Sequence, residues 1–387
     1  MRDAVICAAV RTPVGKRGGG LSGVHAVDLS AHVLESLVER AGIDPAVVED
    51  VIWGCVSQVG EQTFNIARSA ALAAGWPESV PGTTVDRQCG SSQQSVAFAA
   101  ATVISGQADV VVAGGVEMMS RVPMGSASNP ASGAGRPMGP RFMERYKGVP
   151  INQGLGAEMI AERWGFSRTQ LDEFSLASHE KAAKAQADGA FEEEIAPYTL
   201  EDGTVIRADE GIRPGGTLEK LGSLKTPFKE DGVISAGNAS QISDGSAAVL
   251  VTTSEKAREL GLTPLVRIHT TVMAGDDPVI MLTAPIPATA KVLERSGLKI
   301  DDIGVYEVNE AFAPVPMAWA VESGADTGRL NPLGGAIALG HPLGGSGARL
   351  MTTLIHRMRN TGSRYGLQTM CEGGGMANAT ILELLDA

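Results

Sequence analysis

The chain has 387 residues, a formal net charge of −12 and a hydrophobic fraction of 43%. An acidic field of this size argues against nucleic acid or an anionic membrane surface as the main partner, while a local basic site can still receive an anionic small ligand. With 48 glycines and only 4% aromatic residues, the core has to be built from small side chains and tight turns, and the length suggests two or three domains.

The apolar run Ala4–Val10 stops at Arg11-Thr12-Pro13 and reads as a strand. After Asp28, the apolar residues Val33, Leu34, Leu37, Val38 and Ala41 fall at helical spacing, with Gly42 as a stop. Val47–Val56 returns to strand character. Ser92–Ile104 is an Ala-rich buried helix, and Asp109–Ala113 is a buried strand that runs into Gly114-Gly115. Ser126–Pro140 reads as loop and Leu171–Ala187 as helix. The C-terminal part repeats the first order: strand at Val266–Thr271, helix at Pro287–Arg295 before Gly297, strand at Ile303–Val308, helix at Ser346–Arg359, strand at Tyr365–Cys371.

Local sequences echo each other as well. Val33-Leu34-Glu35 matches Val292-Leu293-Glu294, and Gly114-Gly115-Val116-Glu117-Met118 matches Gly373-Gly374-Gly375-Met376 in placement. The pattern indicates an internal duplication. Each half is a βαβαβ unit of α/β class with mostly parallel strands. The first half, 1–117 plus 244–265, is interrupted by an insertion at 118–243, a natural lid. The second half is 266–387.

The four cysteines, Cys7, Cys55, Cys89 and Cys371, form no C-x-x-C pair, so neither a zinc ribbon nor a redox motif is indicated and no metal site is expected. So few cysteines suit a reducing compartment, and the sequence shows neither a signal peptide nor a membrane span, which leads to the expectation of a cytoplasmic protein. Cys89 stands in Asp86-Arg87-Gln88-Cys89-Gly90-Ser91-Ser92, between an extended stretch and a helix. A thiol before a helix N-terminus feels the positive end of the dipole, which favours thiolate. Taken alone, a structural cysteine fits equally well. Gly340-His341-Pro342-Leu343-Gly344-Gly345 precedes the corresponding helix of the second half; packing about a pseudo-twofold axis would bring His341 to Cys89 as a base, whereas a lone His also serves as a core or capping residue. Cys371 ends a strand beside Gly373-Gly374-Gly375, whose backbone N–H groups suit an oxyanion site. Asn309-Glu310 leaves the core at a strand end, where a helix cap is the alternative.

Together, Cys89, Asn309-Glu310-Ala311-Phe312, Gly340-His341-Pro342 and Cys371-Glu372-Gly373-Gly374-Gly375 resemble the thiolase family in order and spacing, and the resemblance covers essentially the whole chain. It implies a layered α/β/α/β/α fold of two duplicated halves with an inserted loop domain. It also implies acyl transfer through an acyl-Cys89 intermediate: thiolytic cleavage of a 3-ketoacyl-CoA by coenzyme A, or the reverse condensation. By this resemblance His341 activates Cys89, Cys371 moves the α-proton of acetyl-CoA, and Asn309 holds a water that completes an oxyanion hole with His341. The backbone N–H groups of Cys89 and Gly373 form the other hole. Arg213, Ser240, Ala311 and Phe312 match positions that contact coenzyme A, which is a substrate, so no cofactor is implied. A homodimer or homotetramer follows from the same resemblance.

Two departures bear on specificity. Asp86 stands where many thiolases carry Asn, and Asn152-Gln153 stands where short-chain biosynthetic members tend to show His-Met. The second points to degradative members with bulkier acyl chains rather than to acetoacetyl-CoA formation. The remaining alternative is a non-catalytic acyl-CoA or lipid-binding protein of the same fold, which loss of Cys89, His341 or Cys371 would favour; all three are present.

Overall fold

A computed structural model of the chain describes residues 2–385; the outermost residues of the two expected halves, Met1 and Asp386–Ala387, lie outside them. Nine principal strands follow the apolar runs: β1 (Val5–Arg11), β2 (Asp50–Gly54), β3 (Gly82–Val85), β4 (Val110–Met118), β5 (Ser243–Thr252), β6 (Val266–Gly275), β7 (Val305–Val308), β8 (Tyr365–Glu372) and β9 (Met376–Leu384). The main helices are α1 (Ala26–Ala41), α2 (Ile66–Ala73), α3 (Ser91–Ser105), α4 (Gln153–Trp164), α5 (Arg168–Ala187), α6 (Pro285–Ser296), α7 (Pro314–Ser323) and α8 (Leu343–Thr361).

Local chemistry sets their ends. Helix α1 starts two residues before the expected signal, because the His25 side chain caps Val27 N, which leaves Asp28 in the first turn beside the positive end of the dipole. It stops at Gly42, whose φ of 68° is left-handed. Ser167 and Gln170 form a reciprocal capping box at the start of α5. Helices α2, α4 and α7 were not anticipated.

The strands form a ten-stranded sheet with the order β7-β8-β9-β6-β1-β5-β4-β2-β3, the two-residue strand Gly15–Lys16 pairing with β5 off this path. The halves meet where β1 pairs with β6 through Val5↔Arg267 and Ile6↔Val266. On either side of that seam the order is the same. β1–β5 and β5–β4 are antiparallel, then β4–β2 and β2–β3 are parallel. β6–β9 and β9–β8 are antiparallel, then β8–β7 is parallel, and a parallel bridge from Tyr306 to Leu330 replaces the last strand. The duplication is therefore a repeat of topology, while the expectation of mostly parallel strands fails. The reason is the link into the last strand of each half. Gly373–Gly375 makes a hairpin between β8 and β9, with φ of 86° at Gly374 and 74° at Gly375, and a hairpin joins only antiparallel neighbours. In the first half the insertion, residues 119–242, occupies the place of that hairpin.

Alternating side chains divide the core into layers. Val5, Cys7 and Val10 of β1 pack outward with Leu29, Leu34 and Leu37 of α1 and Ile66 and Ala70 of α2. Ala4, Ile6 and Ala9 face the middle layer, where Val96 and Ala99 of α3 meet Met351, Leu354 and Ile355 of α8. On the far side, Ala379 and Ile381 of β9 pack against Ala288 and Val292 of α6 and Trp319 of α7. This is the five-layer α/β/α/β/α arrangement.

The middle layer closes on glycine. A Cβ on Gly115 would lie 2.2 Å from Gly344 O and 2.6 Å from Gly54 O. One on Gly344 would lie 2.4 Å from Val116 O, and one on Gly347 would lie 2.3 Å from Gln93 N. The first turn of α8 therefore presses backbone to backbone on β2, β4 and α3. Gly115→Ala should lower stability by about 1–3 kcal/mol or more, because a methyl has no space here. The loss should appear as a lower urea midpoint at unchanged m-value, and an unchanged midpoint would show that the contact yields.

Candidate active site

Cys89 sits on a sharp elbow between β3 and α3. Gln88, just before it, has a left-handed φ of 49°, a strained backbone for a residue with a side chain. The turn is braced by Ser91 Oγ, which accepts from Arg87 N at 2.9 Å and donates to Gln88 O at 2.6 Å. Gly90 is the cap of α3. Cys89 is buried among Met119, Leu343, Leu350 and Met370.

His341 occupies the matching elbow before α8, after Gly340 with φ 102°. Its Nδ1 is 2.6 Å from Ser346 Oγ, and that hydroxyl donates to Pro342 O at 2.8 Å. A hydroxyl whose proton is committed to a carbonyl can only accept, so Nδ1 carries the ring proton and Nε2 presents a lone pair. Glu117, fully buried, ties this elbow to the first half: it accepts from Gly344 N, Val56 N, Ser57 N and Gln62 Nε2.

The strand ends of the second half complete the group. Asn309 Nδ2 lies 3.5 Å from His341 Nε2 and donates to Cys371 Sγ at 3.7 Å, while its buried Oδ1 has no partner among the described residues. Glu310 is a brace: it accepts from Ser178 Oγ, Asn331 Nδ2 and Ile337 N. Gly373 faces Gln88, whose Oε1 would be 3.1 Å from a Cβ placed there.

Burial dominates the electrostatics. It pushes the Cys371 thiol up to about 11, against a lowering hydrogen bond from Asn309. It raises Cys89 well above the ordinary thiol range, with the nearby Cys371 and Glu372 adding to the effect. The expected resting thiolate is therefore corrected to a neutral thiol: desolvation of a fully buried sulfur outweighs a helix terminus. Burial, then the charge of Arg349, holds His341 down at about 3, so the ring is neutral at physiological pH and free to accept a proton. Glu372 has a place too. Burial lifts it to about 8, and its Oε1 lies where a Cβ on Gly90 would be, 2.0 Å away. Only glycine after Cys89 admits this carboxyl.

A cavity of about 1090 Å³ reaches Cys89, Gly373 and Phe312, and Asn152 and Gln153 line it as well. Asn152 also caps α4, accepting from Gly154 N and Leu155 N. Ser240 N donates to Ala311 O at 2.9 Å, and Ala239 bridges to Phe312, so three of the four expected coenzyme A positions come together. Arg213 lies on the surface, where its guanidinium donates at 3.3 Å to Oε1 of Gln241, the residue next to Ser240. Ser346 and Glu117 were given no role from sequence, although Ser346 stands in the same glycine-rich run as His341.

Comparisons with known proteins agree in kind. The family model described as thiolase, N-terminal domain, matches residues 4–255, and that described as thiolase, C-terminal domain, matches residues 262–384. The chain is 51% identical to a steroid 3-ketoacyl-CoA thiolase of Mycobacterium tuberculosis, covering 100% of this chain and 95% of the relative. It is 45% identical to a beta-ketoadipyl-CoA thiolase of Escherichia coli, covering 99% and 100%. Among solved structures, an acetyl-CoA acetyltransferase of Bacillus anthracis superposes with a TM-score of 0.92 at 39% identity, covering 100% of this chain and 99% of the other.

Two outcomes test this geometry. Ser346→Ala should lower kcat about 10–100-fold, since the ring loses the partner that sets its tautomer, with KM little changed. An undiminished kcat would show that the tautomer is set elsewhere. The second concerns pH. In the unfolded chain a histidine takes its proton near 6.5, while folded His341 resists until about 3. Between these values the unfolded chain binds the extra proton, so stability falls as pH drops through that window. The urea midpoint should therefore be lower at pH 4.5 than at pH 7, and the drop should shrink in His341→Asn; an equal drop in the variant would contradict the assignment.

Proposed function

The chain belongs to the thiolase family and is an acyl-CoA C-acyltransferase that uses coenzyme A as a substrate, and from that premise we propose that Cys89, His341, Cys371 and Asn309 carry the reaction. What supports this most is one contact set: Asn309 Nδ2 stands 3.5 Å from the bare His341 Nε2 and 3.7 Å from Cys371 Sγ. A base, a second thiol and an amide thus converge beside the cavity that holds Cys89.

In thiolysis, Cys89 gives its proton to His341 Nε2 as its sulfur attacks C3 of the 3-ketoacyl-CoA. The C2–C3 bond breaks and its electrons leave as the enolate of acetyl-CoA, which takes a proton from Cys371. Cys89 is left as a thioester of the shortened acyl group. Coenzyme A then gives its thiol proton to the Cys371 thiolate and attacks that thioester, and as acyl-CoA leaves, protonated His341 returns its proton to Cys89. His341 and the backbone N–H groups of Cys89 and Gly373 receive the charge that develops on the oxygens. The insertion at 118–243 acts as the lid that holds coenzyme A, with Ser240, Ala311 and Phe312 along the pantetheine and Arg213 toward the nucleotide end.

The direction is degradative, on acyl groups larger than acetoacetyl. The names of the two relatives, for steroid and ketoadipyl substrates, and the absence of His-Met at Asn152-Gln153 support this reading. The protein works as a homo-oligomer, a dimer or a tetramer: β3 leaves one edge of the sheet open, and Phe64 nearby is 90% exposed. A cytoplasmic setting agrees with four free cysteines and with the finding that no helix among the described residues is long and apolar enough to cross a membrane.

The test is thiolysis with coenzyme A and a 3-ketoacyl-CoA. Cys89→Ala should lose about 10³-fold or more in kcat. Cys371→Ala should block thiolysis yet still take up an acyl group from acyl-CoA, seen as the added mass of an acyl-enzyme. Turnover that survives in Cys89→Ala would remove Cys89 from the mechanism.

A further inference from the structure

One buried acid is left without a part in the reaction. Glu372 stands between Cys371 and Gly373 at the end of β8, so its side chain leaves the strand on the face opposite Cys371. It is fully buried. Its Oε1 lies 2.0 Å from the point that a Cβ on Gly90 would occupy, and Asn378 Nδ2 lies 2.8 Å from the same point. The carboxyl is therefore seated under the elbow of Cys89, against the residue that caps α3.

This seat offers little to a negative charge. Neither oxygen of Glu372 has a hydrogen-bond partner among the described residues. Arg87 Nε, also buried, has none either, and Arg87 Nη1 is turned to Met376 Sδ at 3.9 Å. An ionised carboxyl buried without donors is more costly than a protonated one. The protonated form also brings a donor to a seat whose other orphan, Asn378 Oδ1, is an acceptor. The acid accordingly keeps its proton up to about 8, where burial outweighs the pull of Arg87 and Asp86 adds to the rise. Arg87 and Asp86 face it from the elbow together with the Cys89 thiol, and the Cys371 thiol lies next to it on its own strand. β9 contributes the uncharged Asn378, and α3 carries no charged residue.

The start of α3 holds unpaired N–H groups and the positive end of the helix dipole. Negative charge arrives there twice in the reaction, on the Cys89 sulfur as it gives up its proton and on the oxygen received by the N–H groups of Cys89 and Gly373. A third negative charge at the same place would compete for the same field, in surroundings where screening by water is reduced. We propose that Glu372 is a further positioning residue of this reaction: seated under Gly90, its carboxyl leaves the field of α3 to the Cys89 sulfur and the oxyanion while it is uncharged, and takes that field from them once it ionises. The inference rests on the reading that Cys89 accepts the acyl group.

The experiment follows acylation of Cys89 alone. The full-length protein is mixed with acetyl-CoA and, separately, with hexanoyl-CoA, and the added mass on Cys89 is timed by rapid quenching at pH 7 and pH 9. The ratio of the two rates is taken within each protein, so a general loss of activity or of folded protein cancels. Glu372 loses its proton as pH rises through about 8, so native acylation should be about tenfold slower at pH 9 than at pH 7, whereas an ordinary thiol gains reactivity over that range. Glu372→Gln keeps the shape and cannot ionise, and should abolish this fall. Arg87→Gln withdraws the cation that favours the charged form, and should move the fall to higher pH; it carries the test if Glu372→Gln does not fold. A merely structural role would slow Glu372→Gln by one factor at both pH values and leave its ratio as in the native protein, which would overturn the proposal. A fall that Arg87→Gln leaves at the same pH would overturn it too. Native acylation that is no slower at pH 9 sinks this inference and leaves the catalytic reading standing. If native Cys89 takes up neither acyl group at either pH, the catalytic reading fails and takes this role of Glu372 with it.

Discussion

The structure depends on one close contact, the first turn of α8 laid backbone to backbone on β2, β4 and the start of α3. Gly54, Gly115, Gly344 and Gly347 leave no room for a methyl group along it. The contact brings the elbow of His341 to the elbow of Cys89 and directs the starts of two helices toward one region. Helix starts carry unpaired N–H groups and positive partial charge, so the same steric fit also builds a field suited to a developing oxyanion. Burying those donors would be costly if they stayed unpaired. Glu117 answers part of that demand by accepting from Gly344 N and from three donors of the first half.

A second property follows from the depth of this contact. At neutral pH the site is close to uncharged, with both thiols protonated, His341 neutral and Glu372 lifted toward neutrality. Charge is to appear when substrate reacts, in a surrounding of low polarisability where oriented N–H groups act strongly. The tautomer set by Ser346 fits this scheme, since it leaves the acceptor of His341 toward Asn309 and Cys371 without adding a charge.

Much of this was legible in the chain, and what was not has physical reasons. Valine runs such as Val110–Val112 and stops such as Gly42 and Gly297 mark elements by local chemistry alone, so their order and their repetition could be read. Pairing direction could not, because it turns on Gly373–Gly375 forming a hairpin, and a glycine run is equally compatible with a loop that carries the chain onward. Helix α2, within Ile66–Ala73, and α7, opening on Pro314, lack the long amphipathic stretch that identified α1. At the site, a cysteine at a helix start left two readings open on spacing alone; the combination with His341, Asn309 and Cys371 chose between them through a family resemblance. The ionisation state of Cys89 was misjudged because a helix terminus is visible in sequence, whereas complete desolvation is a property of packing.

The burial of Cys89 as a neutral thiol has a bearing on covalent inhibition. A small indiscriminate electrophile reacts with whatever thiolate it meets, and here it finds little thiolate on a residue only 3% exposed. A compound shaped like the acyl chain gains on both counts. It enters through the cavity, and its carbonyl can draw on the N–H groups that offset charge on oxygen, so that the enzyme itself lowers the barrier to its own acylation. Selectivity in such an inhibitor would come from the recognition element rather than from the reactivity of its warhead.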